Sequence, residues 1–196
     1  MANYFLKTPF SEEEVRQLKV GDIVHFDGTL FGIRDLTQIY MVDQNHEPPV
    51  SLEGMPCIHT SPSLKKVGDR WEPICVGTTT SVRMDRYSPL LIEKYGVRAI
   101  IGKAGLYEDS LKAMEKFGAV YLAIVGGAAA LETRQIEEVE AVYWEHLHPE
   151  ALYQFRVKDF GPLTVAMDTH GNHLYFDVKA RAKQRLPEIY KKLGVV

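Results

Sequence analysis

The sequence contains only two cysteines among its 196 residues, and this scarcity limits the sites that it can build. Cys57 and Cys75 lie far apart and show no Cys-x-x-Cys spacing. A disulfide scaffold needs several cysteine pairs, and a structural zinc or iron–sulfur site needs about three or four ligands, so this chain alone can complete neither. We therefore expect two buried structural thiols and no metal site.

Excess positive charge and long apolar runs are also missing. The chain has 23 Lys+Arg against 26 Asp+Glu, a formal charge of -3, which disfavours nucleic acid and anionic membranes as partners. Any anion site must therefore be local. The longest uncharged apolar stretch, Ala119 to Leu131, has 13 residues, whereas a membrane span needs about 20. The first 14 residues lack the features of a secretory signal, so we expect a cytoplasmic protein.

The remaining composition is that of an ordinary globular protein. Hydrophobic residues make up 45% of the chain and charged residues 25%, which is enough for a sizeable core and argues against disorder. The length suits one domain over residues 1–196.

The first 60 residues predict short elements separated by turns. Ser11 and Glu14 form a capping box that starts a helix, and Gly21 ends it. The β-branched and aromatic residues from Ile23 to Phe31 flank Asp27-Gly28 and predict a β-hairpin. A helix is expected over Asp35 to Asp43.

The rest of the chain predicts an α/β fold with a parallel βαβαβ core. The expected elements of this core are strand 74–76, helix 86–95, strand 99–101, helix 110–117 and strand 120–125, with an isolated strand at 57–59 before them. Strands at 152–157 and 163–167 and an amphipathic helix at 176–193, in which we expect a kink at Pro187, follow it. Strands on both sides of the parallel unit indicate a second, smaller sheet and a helical layer.

Two polar loops follow strands of this core, where doubly wound sheets bind their ligands. Residues 77–85 contain four neighbouring hydroxyls and Arg83, and residues 102–105 contain Lys103 between glycines. Arg34 follows the predicted hairpin as a third cation. Three converging cations suit a dicarboxylate, because a guanidinium binds one carboxylate in bidentate fashion and an ammonium binds another. The alternative, favoured by spacing alone, is a set of capping hydroxyls and solvated surface cations.

Other polar motifs are weaker candidates. Residues 126–130, Gly-Gly-Ala-Ala-Ala, favour close packing over anion binding. The histidine pairs 146/148 and 170/173 lack a third metal ligand. Asp168 is better explained as the cap of a turn than as a site residue.

Five ordered motifs resemble those of the class I fumarate hydratases and the related L(+)-tartrate dehydratases. GTTTSVRMD at 77–85 is similar to the family signature Gly-Pro-Thr-Thr-Ser-x-Arg-Met-Asp. IRD at 33–35, IGKAG at 101–105, GGAAAL at 126–131 and DTHGN at 168–172 are similar to further family segments in the same order. The match extends from Leu6 to the C-terminal helix and resembles the β subunit, or C-terminal half, of these enzymes.

The resemblance implies a three-layer swivelling β/β/α domain and a missing half of the enzyme. In the family, an α subunit or N-terminal domain holds a [4Fe-4S] cluster, and the active site forms between the two parts. The implied assembly is a hetero-oligomer with β–β or α–α pairing, in which the cluster belongs to the α subunit and not to this chain.

The resemblance also implies roles for individual residues. Arg34, Arg83 and Lys103 resemble the ligands of the substrate carboxylates, and Thr79 resembles the hydroxyl that takes the proton from the carbon next to the carbinol. Residues that support these four are Asp35, Thr80, Ser81, Asp85 and Gly102.

Four positions depart from the family pattern. Thr78 replaces a common Pro, Val82 a small residue, Ala104 a Gly and Gln38 a His. The missing histidine bears most on the identity of the substrate. The leading hypothesis is a fumarate hydratase β subunit acting on malate and fumarate. A tartrate or related dehydratase β subunit and a stand-alone dicarboxylate-binding module are the alternatives.

Overall fold

The computed structural model describes residues 1–195, apart from the side chains of Ala128 and Ala129, which lie in the predicted Gly-Gly-Ala-Ala-Ala motif. It is a mixed α/β structure with a seven-stranded main sheet and a separate two-stranded sheet. The strands of the main sheet are β1 (Asn3–Lys7), β2 (Ile23–Ile33), β3 (Pro56–His59), β6 (Ala99–Gly102), β7 (Val120–Ala123), β8 (Ile136–Tyr143) and β9 (Leu152–Met167). The small sheet consists of β4 (Ser63–Val67) and β5 (Arg70–Cys75).

Strand pairing closes much of the main sheet into a ring. The order is β1-β2-β3-β6-β7-β9-β8, and β2 also pairs with β9. The pairs from β1 to β7 are parallel, whereas β9 runs antiparallel to β2, β7 and β8. Strands β2, β3, β6, β7 and β9 therefore form a closed cycle of hydrogen-bonded neighbours.

Buried side chains fill both faces of the central strands. Successive residues of a strand point to opposite faces, and here they belong to two different clusters. Ile58, Ile101 and Leu122 belong to one cluster, while Ile100 and Tyr121 belong to the other. Strands buried on both faces are typical of parallel sheets.

Helices contribute buried side chains to both of these clusters. The α-helices are α1 (Glu12–Gln17), α2 (Asp35–Gln38), α3 (Ser88–Glu93), α4 (Glu108–Phe117) and α5 (Leu174–Lys192). A π-helical turn, Ile39–Asp43, continues α2, and 3₁₀ segments occupy Val82–Tyr87, Gly127–Gln135 and Glu145–Glu150. Side chains of α3 and α4 share a cluster with Tyr121. Helix α5 continues through Pro187 without a break and buries none of its side chains within residues 1–195. Across residues 1–195, every helix is too short or too polar to cross a membrane.

The predicted hairpin at Ile23–Phe31 is wrong, because these residues form one continuous strand. Gly28 has φ +115° and lies at a register shift in the pairing of β2 with β9. A Cβ at this position would lie 2.2 Å from Thr8 Oγ1, which accepts a hydrogen bond from the Thr29 amide at 2.6 Å. The glycine therefore serves a β-bulge rather than a turn.

The first strand of the predicted βαβαβ core is also misplaced. Residues 74–76 overlap β5, which pairs with β4 in the small sheet, and β3 takes the predicted place beside β6. The other two core strands and both helices are confirmed, with shifted ends. The two strands predicted at 152–157 and 163–167 form the single strand β9, whereas β1, β4 and β8 were not predicted. The Ser11 capping box of α1 is confirmed.

Candidate active site

The predicted site residues lie where three neighbouring parallel strands end. Arg34 follows β2, and Lys103 follows β6. Between these strands, residues 78–80 cross the end of β3 through two isolated bridges, Thr60 with Thr78 and Thr80 with Lys103. The sheet topology therefore brings the two polar loops and the first cation to one edge.

Arg83 and Asp35 form the central ion pair of this edge. Arg83 Nε donates to Asp35 Oδ1 at 2.9 Å, and Arg83 Nη2 donates to Asp35 Oδ2 at 2.9 Å. Arg83 Nη2 also donates to Thr79 Oγ1 at 2.9 Å. One guanidinium thus orients a carboxylate and the threonine hydroxyl together.

Arg34 extends this cluster on the other side of Asp35. Its Nε lies 3.4 Å from Asp35 Oδ2 and 3.4 Å from Glu150 Oε1. Glu150 Oε2 accepts a hydrogen bond of 2.8 Å from the Leu36 amide near the start of α2. Arg34 Nε is buried and has no hydrogen-bond partner within residues 1–195. Sequence reasoning missed Glu150, which is more than 100 residues away and belongs to none of the motifs.

The electrostatics favour the charged forms of Asp35 and Arg83. Burial by itself raises the pKa of Asp35, but the hydrogen bonds from Arg83 and the charges of Arg83 and Arg34 lower it below its ordinary value. The hydrogen bond to Asp35 raises the pKa of Arg83. With Lys103, the edge carries three cations and two carboxylates, a net charge of +1.

The Lys103 ammonium is half-buried and makes no hydrogen bond or ion pair with residues 1–195. A Cβ added at Gly126 would lie 3.4 Å from Lys103 Cδ and 3.6 Å from Lys103 Nζ, so residue 126 is a close neighbour of the lysine side chain. This lysine remains able to bind an external anion.

An open cleft of about 300 Å³ lies beside the ion cluster. It is lined by Arg34, Ser61, Ser63, Cys75, Gly77, Thr78 and Thr79. Arg83 and Lys103 do not line it. Arg83 is linked to the cleft because it donates a hydrogen bond to Thr79, which lines it. Lys103 is linked to the cleft because its backbone pairs with that of Thr80, the residue after Thr79.

Three of the predicted supporting residues shape the loop that carries Thr79: Thr80, Ser81 and Gly102. Asp85 instead forms hydrogen bonds at the start of α4. Ser81 is buried, and the Thr80 backbone pairs with Lys103. A Cβ on Gly102 would lie 2.0 Å from Ser81 Oγ, so this position requires glycine. Asp85 Oδ1 accepts hydrogen bonds from the Tyr107 amide at 2.7 Å and from the Ser110 hydroxyl at 2.6 Å, at the start of α4.

The four departures from the family pattern have different structural settings. Gln38 is fully buried and donates to the Arg34 carbonyl at 3.2 Å, so it does not face the cleft. Thr78 lines the cleft and donates to the His59 carbonyl at 3.1 Å. Val82 begins a 3₁₀ segment. Ala104 has φ +72°, a conformation that glycine adopts more readily.

Of the remaining candidates, Asp168 has a structural role, and the histidine pairs have no third metal ligand among the described residues. Asp168 accepts hydrogen bonds from the amides of His170 and Asn172, at 2.9 and 3.1 Å, as expected for a turn. Within residues 1–195 no three His, Cys, Asp or Glu side chains are grouped as metal ligands.

The cysteines do not fit the [4Fe-4S] cluster that the resemblance implies. Such clusters are held by several thiolates. Cys57 is fully buried, and this burial raises the pKa of its thiol to about 12, which disfavours the thiolate. Cys75 lies apart from Cys57, in the lining of the cleft, and is only half-buried, so the expectation of two buried thiols is wrong for this residue.

Comparison with known proteins identifies the family. A family model described as Fumarase C-terminus matches residues 2–178. The chain belongs to the Fumarase C-terminus family. The resemblance carried by the five motifs is therefore confirmed.

Relatives of this Fumarase C-terminus chain include separate subunits and longer proteins. The L(+)-tartrate dehydratase subunit beta of Escherichia coli (strain K12) is 36% identical over 189 residues, which cover 96% of this chain and 94% of that protein. A Methanocaldococcus jannaschii protein provisionally given the same name is 39% identical over 184 residues, covering 91% of this chain and 94% of that protein. A Geobacillus stearothermophilus protein provisionally named fumarate hydratase class I is 40% identical over 185 residues, covering 93% of this chain but 35% of that protein.

Proposed function

We propose that this chain is the β subunit of a two-subunit hydro-lyase that reversibly removes water from a 2-hydroxydicarboxylate, with (S)-malate and fumarate as the substrate pair. The observation that carries the proposal is the guanidinium of Arg83, which is fixed by Asp35 and donates to the Thr79 hydroxyl. This arrangement joins a carboxylate-binding group to a group that can accept a proton.

Binding of a dianion is supported by the unused donors of the three cations. Arg83 engages Asp35 and Thr79 through Nε and Nη2, while its Nη1 makes no hydrogen bond within residues 1–195. A guanidinium has five N–H donors, so the two on Nη1 can bind one substrate carboxylate. Lys103 and Arg34 would bind the other. A substrate with two negative charges complements the net positive charge of the edge.

Thr79 is the proposed catalytic residue. Removal of water takes a proton from one carbon and a hydroxide ion from its neighbour. Thr79 Oγ1 in its deprotonated form would receive that proton, and the cluster held by an α subunit would act as the Lewis acid that takes up the hydroxide. A threonine hydroxyl is a weak base, but a charged donor on its oxygen favours the deprotonated form. Arg83 supplies such a donor. Cations held in fixed positions also stabilise the charge that develops as the C–H bond breaks.

The proposed enzyme needs a second subunit. The names of relatives with full-length alignments describe beta subunits, and the thiols of this chain do not fit a cluster. We therefore assign the [4Fe-4S] cluster to an α subunit, with which this chain forms a hetero-oligomer containing β–β or α–α pairing. The cleft beside Thr79 is open in this chain and would be completed by that subunit.

Tartrate dehydration is the second candidate, because the relatives named tartrate dehydratase align over 94% of their length. Tartrate differs from malate by one further hydroxyl group. We also propose that residues 1–196 form one domain of the swivelling β/β/α type and that the enzyme is cytoplasmic. The closed ring of strands and the small second sheet support this architecture.

The proposal is tested by co-expressing this chain with a cluster-bearing α subunit, purifying both without oxygen, and assaying malate and L(+)-tartrate. We expect malate and fumarate to interconvert in the complex, and no turnover by this chain alone. If the complex acts on tartrate alone, its substrate is tartrate and not malate. Dicarboxylate binding by the chain, without turnover of either acid by the complex, would instead identify a binding module.

A further inference from the structure

A buried row of three polar side chains lies behind the loop that carries Thr79. His59 Nδ1 is 2.9 Å from Ser81 Oγ, and Ser81 Oγ is 2.8 Å from the Tyr121 hydroxyl. His59 and Tyr121 have no exposed surface, and neither does Ser81. The three residues come from the end of β3, the Thr79 loop and the middle of β7. The family motifs contain Ser81 but neither of its two partners.

Backbone hydrogen bonds hold the loop between two strand ends. The Thr79 amide donates to the His59 carbonyl at 2.8 Å, and the Ser81 amide donates to the Lys103 carbonyl at 3.0 Å. Gly102 permits the approach, since a Cβ there would lie 2.0 Å from Ser81 Oγ. The Ser81 side chain is thus held from one side by an imidazole and from the other by a phenol. Ser81 thus connects the Thr79 loop to β3, to β7 and to the residue that follows β6.

The imidazole is suited to hold the loop rather than to exchange protons. Burial lowers the pKa of His59 to about 3, although the charge of Asp35 partly opposes this shift. Its other nitrogen, Nε2, is buried and without a hydrogen-bond partner within residues 1–195. His59 is therefore neutral near pH 7 and has no exposed path for a proton.

We propose that His59 is a positioning residue, whose Nδ1 holds Ser81 so that Thr79 and Lys103 face the same substrate molecule. The inference rests on the proposed function, because the benefit of this alignment is the transfer of a proton to Thr79. Arg83 is held separately by Asp35. Loss of the His59 contact should therefore lower kcat more than it raises KM.

The test uses the anaerobic complex with the α subunit and compares His59→Phe with His59→Asn. Phenylalanine keeps the ring but removes Nδ1, whereas the amide of asparagine places a polar atom near the Nδ1 position. We expect about a tenfold lower kcat for His59→Phe, and a kcat within about threefold of the original for His59→Asn. Equal losses in both variants, or no loss in His59→Phe, would overturn the proposal.

A double-mutant cycle separates positioning from general damage to the core. If His59 acts through Ser81, the variant carrying both His59→Phe and Ser81→Ala should be no slower than the slower single variant. Multiplicative losses would contradict the proposal. Cys57→Ala is the matched control, because Cys57 is equally buried on the same strand and its thiol makes no hydrogen bond to the loop among residues 1–195. It should leave kcat unchanged.

Hydrogen exchange of the full chain provides a readout that does not depend on activity. Amides of residues 79–81 should exchange faster in His59→Phe and Ser81→Ala than in Cys57→Ala. If the complex turns over neither diacid but this difference is seen, the proposed function fails while the anchoring contact stands. Unchanged exchange in both loop variants would refute the contact itself.

Discussion

Acid should destabilise this protein through His59, and the size of the effect follows from its burial. The pKa of His59 is about 3 in the folded chain because burial disfavours its charged form, against about 6.5 in an unfolded chain. Between these values the unfolded state binds one proton more than the folded state does. Stability therefore falls as pH falls from about 6.5 towards 3, by roughly 1 kcal/mol per pH unit. Asp35 and Arg83 are the charged groups that act on the ring.

Urea unfolding of the full chain between pH 7.5 and 4.5 measures this slope, using the linear dependence of the free energy of unfolding on urea. His59→Asn removes the titrating group, so the free energy of unfolding of this variant should fall by roughly 1 kcal/mol less per pH unit than that of the original chain. This difference in slope does not depend on the stability of the variant at pH 7. Cys57→Ala should lose stability at pH 7 but keep the original slope. Identical slopes for His59→Asn and the original chain would refute the assignment of a buried, neutral imidazole.

Three further substitutions test the ion pair and the two backbone positions of the site. Asp35→Asn should raise KM of the complex by about tenfold, because Arg83 loses its orienting partner, while this partly exposed pair changes the free energy of unfolding by less than about 1 kcal/mol. Steady-state kinetics and urea unfolding measure the two effects, and an unchanged KM would contradict the role of the pair. Gly102→Ala should cost about 1–3 kcal/mol in urea unfolding, because its Cβ would overlap Ser81, and an unaltered stability would contradict this packing. Ala104→Gly should stabilise the chain by up to about 1 kcal/mol, since it relieves a left-handed residue, and destabilisation would refute that conformation.

Much of the fold was predictable because its signals are local. The capping box at Ser11 determines where α1 begins, and the apolar strands 99–101 and 120–125 with the helix between them follow from short-range patterns. Asp27-Gly28 misled the prediction because a glycine with positive φ serves turns and bulges alike. The contact that selects the bulge comes from Thr8, about 20 residues earlier in the chain.

The candidate site was predictable only in part, because some of its contacts join residues that are far apart in the sequence. Their charge and their positions after predicted strands singled out Arg34, Arg83 and Lys103, and motif resemblance singled out Thr79. The sheet topology brings these chain segments to one edge. Glu150 and the His59 contact depend on long-range packing. Asp85 belongs to the family signature, but its side chain accepts hydrogen bonds from the Tyr107 amide and the Ser110 hydroxyl at the start of α4.

The most direct test of the central claim compares Thr79→Val with Thr79→Ser in the anaerobic complex with its α subunit. Valine keeps the shape of the side chain without its hydroxyl, whereas serine keeps the hydroxyl that Arg83 contacts. Removal of a general base typically costs about 10²–10⁴-fold, so kcat for malate should fall by that factor in Thr79→Val and remain within about tenfold in Thr79→Ser. A Thr79→Val complex that turns over malate at the original rate would contradict the account.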